Sequence, residues 1–482
     1  MNVIVICSDS FRYDHLGFLK LQPVQTPHLD RLAAQSSLFS DFRLCSFPSV
    51  INRIEMFTGR YSFPFFRWRP LPYEFPVLSE VLARNQFTTA FFSDNRQLIY
   101  EKSGIERGFQ VVKKIPGRAH GPFQPASTPM VELPCPAEKI GVRASNLDRY
   151  RRNAYWYRQQ GVAPAAVLFQ SVMEWFDRPR DRFLVWVDTF DPHEPWDAPR
   201  KYLKPYPWND RGDAVIWPRS GYVDRYPEAD LTNMRSLYKA AVTHFDHWIG
   251  VLLEHLRAKG VLENAAVIFC SDHGYYFGEH GLLGKPSLRQ TRHPTPFHDE
   301  IAHIPLLVRL PDGLGAGRIL PGLCQPPDIF ATALELAGLD RVPWAQGNSL
   351  LPRLRGDSGP QELAVAGSYP TRKNLVSSLA VWTDEWCLIY SPLAGLKGSE
   401  LFHRLSDPSQ QRNVIAEHPQ IAQELFVRLI GWLNRLRVSE RGKRQLLFND
   451  GFPALRKLRY DLSLWQKRLS YWQNHRHYAR GG

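Results

Sequence analysis

The chain has 482 residues, of which 44% are hydrophobic and 22% charged, and both values are close to the average for globular proteins. Its 32 glycines and 38 prolines are too few for a collagen-like or disordered chain, and its six cysteines form no CxxC pair. Fibrous proteins, disulfide-stapled secreted scaffolds and Cys-ligated zinc sites are therefore excluded. The net charge of +13 is uneven, because residues 435–482 carry nine of these positive charges.

Short β-branched or aromatic runs alternate with helical patterns along the chain. This alternation predicts an α/β fold with a central, mostly parallel sheet and helices on both faces. The predicted buried strands are Val3–Ile6, Thr88–Phe92, Phe183–Val187, Ala265–Cys270 and Ile304–Val308.

Several stretches carry helix signals. Thr26-Pro27 predicts a helix start, with proline at the first helical position. An apolar stripe at helical spacing predicts a helix over about 233–259, and Asp328 starts another that Gly338 closes. Pro/Gly-rich stretches at 116–145 and 196–227 are predicted to be surface excursions.

Acidic residues and a histidine directly follow the predicted strands: Asp9, Asp188, and Asp272 with His273. The carboxyl ends of strands in an open α/β sheet meet at one crevice, so these side chains can converge there. Carboxylates with an imidazole are suited to a divalent cation. The alternative is that each aspartate only caps a helix or forms a turn.

A series of motifs resembles the sulfatase family of the alkaline phosphatase superfamily from residue 1 to about 434. The motifs are VIVICSDSFRYDHLG at 3–17, TPHLDRLAAQ at 26–35, MFTGRY at 56–61, FDPHEPWDAP at 190–199, FCSDHGYYFGEHGLLGK at 269–285, HIPLLVRLP at 303–311, GNSLLPRLRG at 347–356 and ELFHRLSDPSQQRNV at 400–414. The resemblance implies a catalytic domain over 1–358 and a smaller C-terminal α+β subdomain over 359–434, with a short antiparallel sheet and a helix.

The resemblance implies that Asp9, Asp272 and His273 hold one divalent metal ion. Ser10 stands where the family often has a second acidic ligand, and both Ser10 and Ser49 are further candidate ligands. The family's usual ion is Ca²⁺, while the lost carboxylate and the imidazole favour Mn²⁺ or Zn²⁺.

Counting back from Thr58-Gly59, the resemblance places the nucleophile at Ser49 and the motif arginine at Arg53. Ile51 replaces the Pro or Ala that accompanies conversion of the nucleophile to formylglycine, so Ser49 is expected either as formylglycine or as an unmodified serine activated by the metal. The resemblance implies that Arg53 stabilises charge on the transferring group, and His193 and Lys285 match positions that contact the ester group and stabilise its charge.

These residues predict a metal-dependent hydrolase of anionic esters, most of all a sulfatase acting on small-molecule or saccharide sulfate esters. Two alternatives remain: a phosphodiesterase or phosphatase using unmodified Ser49, and an inactive, sulfatase-like binding protein. With no signal peptide or membrane span in the sequence, a cytoplasmic location is expected.

The basic tail, 435–482, lies beyond the resemblance. Leucines and tryptophans between Leu455 and Trp472 recur at steps of three and four, which predicts a cationic amphipathic helix. Docking on the protein's own body or on a second copy is the first hypothesis, and peripheral contact with an anionic membrane is the second. No recognised nucleic-acid-binding motif is present, so no nucleic-acid partner is expected.

Overall fold

We analysed the protein as a computed structural model. The structure describes residues 1–65, 70–99, 103–119, 124–287, 290–291, 295–357, 359–368 and 377–447.

An eight-stranded sheet forms the centre of the molecule. In chain order its strands are β1 Asn2–Ser8, β2 Ser37–Phe42, β3 Thr88–Ser93, β4 Val111–Lys114, β5 Phe183–Thr189, β7 Ala265–Ser271, β10 Leu306–Arg309 and β11 Ile319–Cys324, while β6 Gly221–Tyr222, β8 Tyr276–Phe277 and β9 Leu282–Gly284 form a small separate sheet. The spatial order is β11-β2-β10-β7-β1-β5-β3-β4, with β10 antiparallel to both of its neighbours. The predicted mostly parallel sheet is confirmed.

The sheet is covered by helices on both faces. Alternate residues of β1 belong to different cores, with Val3 and Val5 in one cluster and Ile4 and Ile6 in the other, as the two-residue period of a strand requires. The helices are α1 Pro27–Ala34, α2 Ser49–Thr58, α3 Leu78–Arg84, α4 Arg96–Ile99, α5 Ala144–Gln159, α6 Pro164–Phe176, α7 Glu228–Ala258, α8 Asp299–Ala302, α9 Pro327–Leu336, α10 Leu351–Arg355, α11 Pro419–Arg435 and α12 Glu440–Leu447.

A second, antiparallel sheet lies in the C-terminal part of the chain. Its strands, in spatial order, are β12 Ala364–Ala366, β13 Leu379–Trp382, β14 Trp386–Tyr390 and β15 Glu400–His403. Helix α11 packs on this sheet through Leu425, Leu429 and Trp432, which share a third core cluster with the strands. The expected antiparallel sheet with one helix is therefore present.

Two local predictions differ from the structure. Thr26 precedes α1 as predicted but makes no capping hydrogen bond to it; the carboxylate of Asp246 on α7 accepts the His28 and Leu29 N–H groups instead, at 3.1 and 2.7 Å. The stretch 196–227 is only partly a surface excursion, because Trp196 and Trp217 are buried in the core between sheet and helices.

Within the described ranges, no helix is both long and apolar enough to span a membrane. The predicted amphipathic helix between Leu455 and Trp472 lies outside the described residues, and of the basic tail only α12 and the turn before it are described.

Candidate active site and metal centre

The ends of three central strands bring the predicted polar residues together. β1 lies between β5 and β7 in register, so Ser8 is paired with Thr189 on one side and Ser271 on the other. Asp9 and Asp272 extend directly from these strand ends and are fully buried. The convergence follows from parallel strands ending at one edge of the sheet.

Asp9, Asp272 and His273 form a compact cluster. One ligand atom from each lies within 4.8 Å of the others, close enough for one ion to contact all three. His273 Nδ1 lies 3.0 Å from the Gly274 carbonyl oxygen, which fixes the ring proton on Nδ1 and leaves Nε2 as an acceptor. The donor set, two carboxylate groups and one imidazole nitrogen, therefore fits a divalent cation.

Ser49 is the first residue of α2 and lies beside this cluster. Its Oγ is 3.1 Å from His273 Nε2, and the side chain is buried. The helix N-terminus adds partial positive charge at this point, which favours a developing negative charge on the hydroxyl oxygen. The predicted nucleophile thus lies next to the predicted ligands.

Arg53 follows one helical turn after Ser49 and is fully buried. Its guanidinium donates to both oxygens of Asp188, at 2.8 and 3.0 Å, and also to the Asp272 carboxylate. Asp9 lies 3.6 Å away. These contacts orient the carboxylates of the cluster, and the stabilisation of ester charge by Arg53 stays a prediction.

Ser10 occupies the position of the missing acidic ligand. Its Oγ donates to Asp9 Oδ1 at 2.8 Å, and its backbone N–H donates to Asp272 Oδ1 at 2.9 Å. The residue has a φ of 65°, a left-handed conformation that is uncommon outside glycine. This strained turn holds the two carboxylates together.

Lys285 and His193 both contact Glu194. Lys285 Nζ lies 3.0 Å from Glu194 Oε2 and 3.3 Å from Ser10 Oγ, which connects it to the cluster. His193 Nδ1 lies 2.6 Å from the Glu194 carbonyl oxygen and 3.3 Å from its carboxylate. His193 Nε2 then has no hydrogen-bond partner among the described residues and can face an ester.

The charges in the site shift several pKa values. Burial raises the pKa of Asp188 to about 6, against the opposing effect of the Arg53 guanidinium. Burial also opposes ionisation of Asp9, but the cationic groups around it outweigh that effect and hold its pKa below the usual range. Burial lowers the pKa of the His193 imidazole, and the Glu194 carboxylate offsets this only in part.

Sequence reasoning missed three buried residues of the site. Asn95 Nδ2 donates to Asp9 Oδ2 at 2.9 Å, and it follows strand β3, so the strand-end rule applied to Asp9 could have found it. Glu194 is adjacent to His193 in the motif, but nothing in the sequence indicated its contact with Lys285. Asn52 lies on α2 between Ser49 and Arg53, and neither atom of its amide has a partner within the described ranges.

Comparison with known proteins agrees with this geometry. A family model described as "Sulfatase" matches residues 1–339, and one described as "N-sulphoglucosamine sulphohydrolase, C-terminal" matches residues 278–438. The first match covers more than half of the chain. The chain belongs to the sulfatase family.

Curated relatives include a choline-sulfatase from Rhizobium meliloti, 27% identical over 52% of this chain and 50% of that protein. An ulvan-active sulfatase from Formosa agariphila is 24% identical over 98% of this chain and 87% of that protein. The match thus spans about half the length of the choline-sulfatase but most of the ulvan-active enzyme.

Two solved structures show the same fold. The phosphonate monoester hydrolase of Agrobacterium radiobacter superposes with a TM-score of 0.71 at 19% identity, covering 90% of this chain and 96% of that one. A protein solved with its substrate D-glucosamine-2-N,6-O-disulfate gives a TM-score of 0.66 at 17% identity, covering 92% and 99%.

Proposed function

We propose that this chain is a divalent-metal-dependent hydrolase of sulfuric esters, acting on a small-molecule or saccharide sulfate. The observation that carries the proposal is the position of Ser49 Oγ, 3.1 Å from His273 Nε2 and at the N-terminus of α2, beside the Asp9–Asp272–His273 cluster. Family membership supports the same reaction class.

The proposed metal is held by Asp9, Asp272 and His273. When bound, it lowers the pKa of a hydroxyl group next to it and neutralises charge on the ester oxygens. Arg53 and Ser10 orient the two carboxylates, and the Gly274 carbonyl orients the imidazole, so the ligands are positioned before the ion arrives. The candidate ions are Ca²⁺, Mn²⁺ and Zn²⁺.

Ser49, as formylglycine or unmodified serine, is the proposed nucleophile at sulfur. Lys285, whose Nζ lies 3.3 Å from Ser10 Oγ, is the proposed source of positive charge for the ester oxygens. His193 is the proposed proton donor to the leaving oxygen, and the nearby Glu194 carboxylate stabilises the protonated form of the imidazole. Ser10 itself completes the contact between Lys285 and the ligand cluster.

Phosphoric ester hydrolysis is the second candidate. Ile51 stands where formylglycine formation is associated with Pro or Ala, and an unmodified serine suits phosphoryl transfer. Both reactions use the same residues, so the state of Ser49 separates them. An inactive binding protein is the third alternative.

The test combines mass spectrometry with kinetics. Intact-peptide mass measurement across Ser49 distinguishes serine from formylglycine, which has two hydrogens fewer. Turnover of p-nitrophenyl sulfate, p-nitrophenyl phosphate and a bis-aryl phosphodiester is then measured with Ca²⁺, Mn²⁺ and Zn²⁺. Sulfate turnover that exceeds both phosphate rates supports the proposal, whereas preferred phosphate turnover replaces it with the second candidate.

The nucleophile assignment is tested with Ser49→Ala. The substitution removes one buried oxygen and should abolish turnover, while metal binding, followed by calorimetry, remains near that of the wild type. Full activity in Ser49→Ala would place the nucleophile elsewhere. Absence of turnover in the wild type on all three substrates, with metal bound, would favour the inactive binding protein.

A further inference from the structure

A cavity of about 710 Å³ lies among α5, α6, α7 and the segment 197–202, and a lining residue, Arg118, contacts Asp191 two residues before His193. Its lining includes four cationic side chains, three tyrosine or tryptophan side chains and a single carboxylate. The cations are Arg118, Arg158, Arg200 and Lys201, and the aromatic side chains are Tyr157, Tyr202 and Trp248.

The charged residues in the floor of the cavity are paired. Arg118 lies 2.7 Å from a carboxylate oxygen of Asp191 and 2.7 Å from one of Asp197, and is buried. Asp197, the lining carboxylate, also accepts the Tyr150 hydroxyl at 2.9 Å. His244 accepts the Trp248 N–H at 3.1 Å, and burial lowers its pKa to about 4, so it is neutral at pH 7. The floor therefore adds no positive charge.

The mouth of the cavity carries the excess positive charge. Arg158, Arg200 and Lys201 are exposed, and within the described ranges none of them lies within 4.0 Å of a carboxylate. Lys201 Nζ sits 4.9 Å above the Tyr202 ring, so an aromatic face and a cation adjoin each other there. An anion entering the cavity meets three charges that no carboxylate of the described chain neutralises.

We propose that this cavity binds an anionic group of a sulfated saccharide, a second sulfate or a carboxylate, remote from the ester that is cleaved. Guanidinium groups match the oxygen geometry of such anions, and the cavity walls offer the Gln170 amide and the Asp197 carboxylate to sugar hydroxyls. The inference rests on the proposed sulfatase function and narrows its substrate to an oligosaccharide with more than one anionic group.

One loop connects the cavity to the candidate catalytic site. Asp191, which pairs with Arg118 in the cavity floor, is two residues before His193, and its carbonyl oxygen accepts the Ser8 hydroxyl at 2.8 Å. The same segment continues to Tyr202 in the cavity wall. The segment 191–202 therefore contains both His193 and part of the cavity lining.

The test reverses the charge of the cavity mouth in one variant, Arg158→Glu with Arg200→Glu and Lys201→Glu. These side chains are exposed, so the fold should be retained. The control, Arg84→Glu with Arg257→Glu and Lys397→Glu, makes the same charge change at exposed positions outside the cavity lining. Both variants and the wild type are assayed on p-nitrophenyl sulfate and on a heparin-derived tetrasaccharide.

We expect the cavity variant to raise the KM for the tetrasaccharide about tenfold or more, with kcat within about twofold and unchanged kinetics on the aryl ester. The control should leave both substrates unaffected. An unchanged tetrasaccharide KM in the cavity variant, or an equal rise in the control, overturns the proposal.

A binding measurement separates this inference from the catalytic proposal. Calorimetric titration of the tetrasaccharide into Ser49→Ala, with and without the three cavity substitutions, reports binding without turnover. Weaker binding in the combined variant supports the cavity site even if the wild type hydrolyses no sulfate ester, and equal binding overturns it. If an RNA oligonucleotide at the same concentration displaces the tetrasaccharide, the cavity binds polyanions in general, and the proposal of a sulfated saccharide as its ligand is wrong.

Discussion

Two buried arginines, Arg53 and Arg43, each pair with aspartates, but their surroundings differ in net charge. Arg53 lies among Asp9, Asp188 and Asp272, so three carboxylates face one guanidinium group. Two negative charges remain at the carboxyl ends of the central strands, in a place that water does not reach. A buried excess of this kind is costly unless a further cation is present.

The Arg43 cluster is balanced. Arg43 contacts Asp41 and Asp299, both at 2.6 Å, and Arg404 donates to both oxygens of Asp41 at 2.6 Å. Two cations thus face two carboxylates. Because Arg404 follows β15 and Asp41 belongs to β2, this cluster joins the C-terminal sheet to the central one.

The contrast distinguishes a candidate ligand site, the Arg53 cluster, from a structural contact between the two sheets. We call this contact, formed by Arg43, Arg404, Asp41 and Asp299, the seam. Balanced buried ion pairs fix the relative position of two parts of the molecule, whereas the unbalanced cluster leaves negative charge for a ligand. The difference in net charge, rather than the presence of a buried arginine, marks the Arg53 cluster as the candidate metal centre.

The largest expected effect comes from exchanging one carboxylate in each cluster. Asp272→Asn should reduce turnover by roughly 10³-fold or more, because a ligand is lost, while Asp299→Asn should lower the free energy of unfolding by about 1–3 kcal/mol with activity largely kept. Steady-state kinetics and urea unfolding of both variants check this. If Asp272→Asn and Asp299→Asn lose activity equally, the charge balance of the two clusters does not distinguish a ligand site from a structural contact.

Metal addition provides the second test. A cation that binds only the folded chain should raise the free energy of unfolding by about 2.7 kcal/mol at 100 times its Kd. The wild type and Asp299→Asn should both show this gain, and EDTA should reverse it, whereas Asp272→Asn should not respond. Thermal unfolding with Ca²⁺, Mn²⁺ and Zn²⁺ also identifies the preferred ion. A response retained in Asp272→Asn would contradict the ligand set.

Glu194→Gln should have an intermediate effect, lowering kcat about 10- to 100-fold. The amide keeps the size of the side chain but loses the charge that faces Lys285 and His193, so both remain in place with weaker orientation. Because Glu194 stabilises protonated His193, the proposed proton donor, its loss should lower the His193 pKa further and move the basic limb of the kcat profile toward lower pH. Unchanged kcat and an unchanged pH profile would reduce Glu194 to a structural role.

The smallest effect concerns pH and the seam. Burial and the Arg43 guanidinium lower the pKa of His303 to about 4, from about 6.5 in the unfolded chain. Between these pH values the folded state binds fewer protons than the unfolded state. The contribution of His303 to the free energy of unfolding is therefore fully present above about pH 6.5, and it falls by up to roughly 3 kcal/mol toward pH 4.

His303→Gln should flatten that pH dependence while keeping a donor for the Ser40 carbonyl, which His303 Nε2 contacts at 2.9 Å. Urea unfolding of both proteins at pH 7 and pH 4.5 measures the difference. A variant that loses stability in acid as steeply as the wild type would show that other groups control the seam.

Sequence patterns predicted the fold more fully than the site. Buried strands such as β1 and β7 differ from their predicted bounds by one or two residues, because continuous apolar runs directly reflect burial on both faces. The antiparallel direction of β10 was not predictable, since a short apolar run such as Ile304–Val308 carries no information about strand direction.

The site was predicted where a residue directly follows a strand or stands in a motif. Asp9, Asp272 and His273 fall in this group, and the structure brings them together. Contacts between distant segments, such as Glu194 with Lys285 or Arg53 with Asp188, depend on packing and leave no pattern in the sequence. The cap of helix α1 was not predictable for the same reason. Its N-terminal N–H groups are bound by Asp246, more than 200 residues away, and not by the neighbouring Thr26.

The position of β1 has a consequence for how the chain is made. This strand, residues 2–8, is synthesised well before its two partners in the sheet, residues 183–189 and 265–271. Its apolar run, residues 3–7, therefore stays without its β7 partner until residue 271 has been synthesised. An unpaired strand edge of this composition is a site at which other chains can associate. The candidate metal cluster, which follows β1 and β7, is completed only after β7 has been synthesised.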